Sequence, residues 1–277
     1  MSRDIRPSAV AGRWYPGSRD ALLREVDAHL AAAGHAGTSG CPRAVIAPHA
    51  GLLYSGPVAA WAYALVGECR YAAVVLVGPS HFVGFEGISI WPRGEWQTPL
   101  GALPVAEQLA AAIVGESDRI IEHAEAHGRE HSLEMQLPFV ARLLPGVPIV
   151  PLVMGFQTRA TAMALGDALG RAVAARSEAG EILLVASSDL SHYEDAATAA
   201  RLDGVVLRHV EALDASGLMD ALEHEPRHAC GGGPMVAVLH AAARLGATRA
   251  QVLRYADSGD VSGDKSSVVG YMAAAIW

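Results

Sequence analysis

Two short apolar runs constrain this chain more than any other feature. Ala44-Val45-Ile46-Ala47 and Ala72 to Val77 each lead into a small-residue turn carrying a histidine, His49 and His81. Runs of that length, rich in Val, Ile and Leu and bounded by Gly and Pro, read as buried strands. Between them, Pro57 to Val66 has no breaker after its opening proline and reads as a helix. The pattern predicts a strand-helix-strand unit with one histidine just past each strand. In open α/β sheets ligands sit beyond the carboxyl ends of parallel strands, so two imidazoles delivered there are a candidate half of a metal site.

The rest of the chain extends the same theme. Ala11-Gly12-Arg13-Trp14-Tyr15-Pro16 traps an aromatic pair between turn residues, which either pins the N-terminal arm to the body or stands at a pocket rim. Ser18 to Ala33 follows as an amphipathic helix. Ile88 to Leu103, with its Pro/Gly turn, suggests a hairpin or loop excursion, and Pro104 to Val114 a helix. His123, His127 and His131 are four apart, but Gly128 makes one helix through them doubtful; His123 and His127 read as a solvated face, while His131 sits at the entrance of a buried helix. Val147 to Met154 is another apolar strand, before an alanine-rich helix from Thr158 to Ala175. Glu181 to Ser187 runs into Ser188-Asp189-Leu190-Ser191-His192, a third strand end bearing a histidine.

Two helices, Ala197 to Leu213 and Ala215 to Leu222, lead to Cys230-Gly231-Gly232-Gly233-Pro234 and an apolar helix. Three glycines before a helix leave N–H groups open to an anion, although the lysine and hydroxyl of a phosphate loop are missing. They also expose Cys230 beside a helix N-terminus, where a thiolate is favoured. Strands from Ala250 to Tyr255 and Ser267 to Ile276 flank an acidic loop that lacks the spacing of a calcium loop.

Composition sets the outer bounds. Hydrophobic residues make up 51% and charged residues 18%, enough for a large core and against disorder. A net charge of -8, with Lys265 as the one lysine, gives no footprint for nucleic acid. No apolar run reaches the roughly 18 residues of a membrane span, and the N-terminus has no signal-peptide core, so the expected address is the cytoplasm. Three cysteines without CxxC spacing suggest neither a disulfide framework nor a zinc ribbon. No linker or composition shift divides the chain, and residues 1–277 read as a single domain.

His49, His81 and Cys230, with Asp189 and His192 nearby, would make a nitrogen and sulfur site with open positions. Imidazoles suit iron, copper and zinc, and two histidines with one anionic ligand leave a face of Fe(II) free. A histidine off the metal, His192 or His131, can move protons. Each histidine alone is more often structural than a ligand; their shared place after apolar strands raises the joint case.

Pro48-His49-Ala50-Gly51, Gly78-Pro79-Ser80-His81, Glu130-His131-Ser132-Leu133-Glu134-Met135-Gln136-Leu137-Pro138-Phe139 and Ser188-Asp189-Leu190-Ser191-His192-Tyr193 together resemble the Memo family. Its bacterial and archaeal members are called AmmeMemoRadiSam system protein B. The resemblance implies a mixed central β-sheet flanked by helices on both faces, similar to class III extradiol (LigB-like) dioxygenases, which hold nonheme Fe(II) with two histidines and a glutamate. Carried over residue by residue, it implies His49 and His81 as metal ligands, His192 as the acid/base histidine and His131 as a further pocket histidine. Cys230 stands where the glutamate ligand is expected.

The leading expectation is therefore a nonheme oxidoreductase holding Fe(II), or else copper or zinc, at His49, His81 and Cys230. Asp189 would orient His192, and Trp14 and Tyr54 would line a pocket for a small aromatic molecule or a residue of a partner protein. The resemblance also implies a radical SAM protein and an AMMECR-type protein as partners. The competing expectations are a peptide- or protein-binding module that kept the cleft and lost its chemistry, and a zinc hydrolase using a metal-bound water.

Overall fold

The four apolar runs become the parallel centre of a nine-stranded sheet. The structure is a computed structural model that describes residues 4–34, 40–176 and 181–277. In chain order it contains β1 (Ile5–Arg6), α1 (Arg19–Ala32), β2 (Ala44–Ala47), α2 (Leu52–Val66), β3 (Ala73–Pro79) and β4 (Ile88–Ile90). Next come β5 (Glu95–Thr98), β6 (Gly101–Pro104), α3 (Glu107–Gly115), β7 (Ile120–Glu122), α4 (Ala124–Gly128), α5 (Leu137–Leu143), β8 (Ile149–Met154) and α6 (Arg159–Ala174). The C-terminal part holds β9 (Ile182–Ser187), β10 (His192–Glu194), α7 (Ala196–Glu211), α8 (Ala215–His224), α9 (Gly232–Arg244), β11 (Ala250–Asp257), α10 (Gly259–Ser262) and β12 (Val268–Ile276).

The large sheet runs β10-β12-β2-β9-β3-β8-β4-β7, with β11 paired to β12; β1, β5 and β6 form a separate small sheet. Strands β2, β9, β3 and β8 are parallel, whereas β12 and β4 join them antiparallel, which makes the sheet mixed. Every residue of the four parallel strands is buried. Continuously apolar strands of that kind need cover on both faces. Two helical groups supply it: α2 lies on β2 and β12 and packs with α1 and α5, while α9 lies on β2, β3 and β9 and packs with α6 and α8.

The two histidine-bearing strands are not neighbours in the sheet. β9 lies between them, with Ala47 opposite Ser187 and Val77 opposite Ala186. Parallel pairing in that register brings the ends of β2, β9 and β3 to one edge, and with them His49, His81, Asp189 and His192.

Several boundaries differ from the sequence expectation. α2 begins at Leu52, and Pro57 lies inside it, because the Leu52 N–H has an outside acceptor in Trp14 O at 2.8 Å and the Ser55 hydroxyl donates back to Ala50 O at 2.7 Å. Pro104 closes β6 opposite Glu95 rather than opening a helix. Cys41 and Cys69 form a disulfide, which the odd cysteine count did not suggest; the segment entering β2 passes the end of α2, with Cα atoms 5.7 Å apart. The acidic loop is partly neutralised from within, since Lys265 donates to Asp257 at 2.7 Å and to Asp260 at 2.6 Å. Among the described residues no helix is long and apolar enough to cross a membrane.

Candidate metal centre

Just past β2, His49 is buried, and its main-chain N–H donates to Asp189 Oδ1 at 2.7 Å, as does that of Ala50 at 3.2 Å. Its Nδ1 lies 2.9 Å from Ser187 Oγ, which donates to Ser132 O at 2.6 Å and accepts from Gln136 Nε2 at 2.7 Å. A carbonyl only accepts, so the single serine proton is committed and His49 Nδ1 must be the donor. Gln136 is fixed in turn, donating to Pro48 O at 3.0 Å and accepting from Tyr63 OH at 2.9 Å. The network leaves His49 Nε2 with its lone pair. Cys230 Sγ lies 3.2 Å from that nitrogen and 3.6 Å from Asp189 O, the two acceptors open to its single proton.

His81 is held by the same logic with a different partner. Its Nδ1–H donates to Glu130 Oε1 at 2.9 Å and its main-chain N–H to Oε2 at 2.6 Å. The main-chain N–H groups of His131 and Ser132 also donate to Glu130 Oε1, at 2.9 and 2.8 Å. Burial opposes the Glu130 charge, but the His81 side chain and these N–H groups outweigh it and hold the carboxyl at about 2. A carboxylate behind Nδ1 fixes the ring and leaves Nε2 for a ligand, as in many metal sites. His192 repeats the pattern, its Nδ1–H donating to Leu190 O at 2.8 Å. Asp189, expected to orient His192, accepts from the main chain of His49 and Ala50 instead.

His131 has a buried Nδ1 without a hydrogen-bond partner. Its ring stacks on His81 at 4.5 Å, meets His49 edge-on at 5.6 Å and lies 4.2 Å from Trp14. Trp14 thus roofs the histidines, while Tyr15, beside it, donates to Glu134 Oε1 at 2.7 Å and pins the arm. Tyr54 is 37% exposed and borders a hollow with Trp61, Arg254 and Asp257.

The three glycines after Cys230 do not form an anion cradle. Gly231 N–H donates to Ser188 Oγ at 2.9 Å and Gly233 N–H to Gln157 Oε1 at 2.7 Å. They are small because the turn is crowded: a Cβ on Gly231 would lie 2.5 Å from Ser187 O, and one on Gly233 2.6 Å from Met154 Sδ. Nor is the thiol activated by the helix. Burial pushes the Cys230 thiol up, and the nearby Asp189 carboxylate adds to it. Desolvation outweighs the partial positive charge of the helix end.

These side chains assemble into two overlapping triplets, each with candidate ligand atoms within 4.8 Å of one another: His49, His81 and His131, and His49, Asp189 and Cys230. His49 is common to both, whereas His81 and Cys230 fall in different triplets. Burial, followed by the neighbouring histidines, pushes His49 to about 3 and His131 to about 4. Their lone pairs are therefore available at neutral pH.

A family model described as Memo-like protein matches residues 6–275. The chain belongs to the Memo family. A MEMO1 family protein of Thermotoga maritima is 36% identical over 282 residues, 98% of this chain and 99% of its own. Another, from Methanothermobacter thermautotrophicus, is 39% identical over 274 residues, 96% of this chain and 98% of its own. In fold, the chain is similar to the solved structure of an uncharacterized Escherichia coli K12 protein, with TM-score 0.56 and 20% identity over 83% of this chain and 98% of that one.

In this Memo chain the supports of the site escaped the sequence reading. Glu130 and Gln136, which hold the histidines, and Glu134, which holds the arm, stand inside the Glu130–Phe139 motif, but nothing in it assigns them these roles; Ser187 is a polar residue ending a buried strand. Glu134 accepts from the N–H groups of Ala9 and Val10 at 2.8 and 3.0 Å and pairs with buried Arg6.

Proposed function

We propose that the protein is a mononuclear nonheme metal-dependent oxidoreductase. The observation that carries this reading is the pair of histidines whose Nδ1–H groups are committed to Ser187 and Glu130, with the Cys230 sulfur 3.2 Å from His49 Nε2. Two preset imidazoles and a sulfur suit a transition metal, and the His131 ring stacks on His81 at 4.5 Å with its Nδ1 3.6 Å from the Glu130 carboxylate. His49 and His81 would hold the ion, with Cys230, which groups with His49 but not with His81, reaching it only after the thiol turns from its present place. The ion would be Fe(II) by the likeness to extradiol dioxygenases, with copper or zinc as the other metals this donor set accepts. When bound, iron or copper would supply one-electron chemistry, which zinc cannot, and any of the three would leave an open face for substrate.

The chain's own residues do the rest. His192, with Nδ1–H tied to Leu190 O, presents Nε2 to take or give a proton. His131 is the second proton carrier, and Trp14 shields it from water. Asp189 keeps the His49 turn in place, and Trp14 bounds the space for an aromatic molecule or a partner's side chain, whereas Tyr54 borders a hollow that none of the site histidines lines. A cytoplasmic setting with a radical SAM protein and an AMMECR-type protein as partners belongs to the same reading.

Protein purified without oxygen is expected to carry near-stoichiometric metal, and His49→Ala and Cys230→Ser to retain less than about a tenth of it. Variants that bind metal as well as wild type would sink the proposal. The binding-module reading has one observation in its favour, the 78% exposure of Tyr193 and 49% of Phe82, each following a site histidine. It requires partner binding that survives His49→Ala and weakens in Trp14→Ala.

A further inference from the structure

We infer that Gln157 is a positioning residue that fixes the direction of the Cys230 thiol. The inference extends the metal reading to a residue outside the ligand set. Cys230 precedes α9, whose first main-chain bond is from Met235 N–H to Gly231 O, so its carbonyl lies outside the helix ladder. Gln157 Nε2 donates to that carbonyl at 2.7 Å, while its Oε1 accepts from Gly233 N–H at 2.7 Å. One carboxamide therefore bridges both ends of the glycine turn.

The pin acts on a single peptide unit. Cys230 O and Gly231 N–H belong to the same planar group. Gln157 holds its oxygen side and Ser188 Oγ its nitrogen side, at 2.7 and 2.9 Å. On the other flank Cys230 N–H donates to Asp189 O at 3.2 Å. With the peptides before and after it fixed, Cys230 has little freedom left except the rotation that sets Sγ 3.2 Å from His49 Nε2. Gln157 is itself anchored: Phe156 N–H donates to Phe85 O at 2.8 Å, and Thr158 caps α6 by accepting from Thr161 N–H. Three glycines in a row would otherwise leave this turn loose.

The test uses Gln157→Met and Gln157→Glu in the full chain. A hollow lined by Met219, Leu222 and Ala229 borders Gln157, so methionine has apolar neighbours there. The glutamate keeps an acceptor for Gly233 and loses the donor for Cys230. Cys41 and Cys69 are paired and Cys230 is free, so alkylation of metal-free protein by iodoacetamide, followed by mass, reports on this thiol. Cobalt(II) alone serves as the metal probe through its sulfur-to-metal absorption.

Both variants are expected to melt within a few degrees of wild type, to alkylate at least threefold faster, and to bind cobalt about 10- to 100-fold more weakly with a diminished sulfur band. Alkylation at the wild-type rate overturns the inference, whatever cobalt shows. If wild type gives no sulfur-to-cobalt band while the variants still alkylate faster, the metal reading falls and the positioning role stands.

Discussion

His127 is a fully buried imidazole outside both ligand triplets. Ser89 Oγ gives its proton to His123 O at 2.9 Å, so His127 must donate from Nε2 to Ser89, also at 2.9 Å. Burial first, then the charge of Arg6, pushes His127 down to about 3. Its ordinary value is about 6.5, so the unfolded chain takes up a proton that the folded one refuses. Stability from this residue is complete above 6.5 and is lost as pH falls from there toward 3. At pH 5 the loss is about 2 kcal/mol. Urea unfolding of wild type and His127→Met at pH 7 and pH 5 should show the variant less pH-sensitive by about that amount. The sequence reading put His127 on a solvated face because its spacing from His123 and His131 is helical. The helix there is only five residues long, and the rings that bury His127 are Trp91 and Trp96, at 5.9 and 5.8 Å. Local periodicity carries no information about neighbours that arrive from other segments, here the small sheet and the loop after β4.

At the level of elements, the arm from Ala9 to Tyr15 sinks Val10 and Tyr15 into the core, and one side chain ties down its main chain. Glu134 collects the N–H groups of Ala9 and Val10, the Tyr15 hydroxyl and Arg6, whose guanidinium lies 4.3 Å from the Trp96 ring. Replacing it with alanine leaves a buried guanidinium without its counter-charge, a change that costs about 3–5 kcal/mol. Glu134→Ala is expected to lose that much in denaturant unfolding, while Glu134→Gln, which keeps acceptors for the arm, loses less. Equal losses in the two would show that charge and hydrogen bonding there do not matter separately. The strands and most helices were legible because apolar runs and breakers are local signals. The Arg6–Glu134 pair was not, since its members stand 128 positions apart and each alone looks like a surface residue.

For the molecule as a whole, the disulfide between Cys41 and Cys69 closes a segment with a sequence separation of 28. Loop closure of that length restricts the unfolded chain by about 3–4 kcal/mol. Cys41→Ser with Cys69→Ser is expected to lower unfolding stability by that amount, and reductant should do the same to wild type without affecting the double variant. Pairing was invisible in the sequence because the two cysteines are joined through α2, and only its packing decides where they meet. The α/β class followed from alternating strands and helices, yet the order of strands did not, because equally apolar strands can be shuffled without changing the pattern. The chain places β9 between β2 and β3, which has a consequence in time. A ribosome releases the His49 and His81 strands early, and the strand that must wedge between them emerges on the order of ten seconds later. β12, which covers the other side of β2, comes later still. During that interval both strands lack their shared neighbour, and no ion can be gripped from two sides. A metal held at this edge could not nucleate the nascent fold; loading would wait until β9 has emerged.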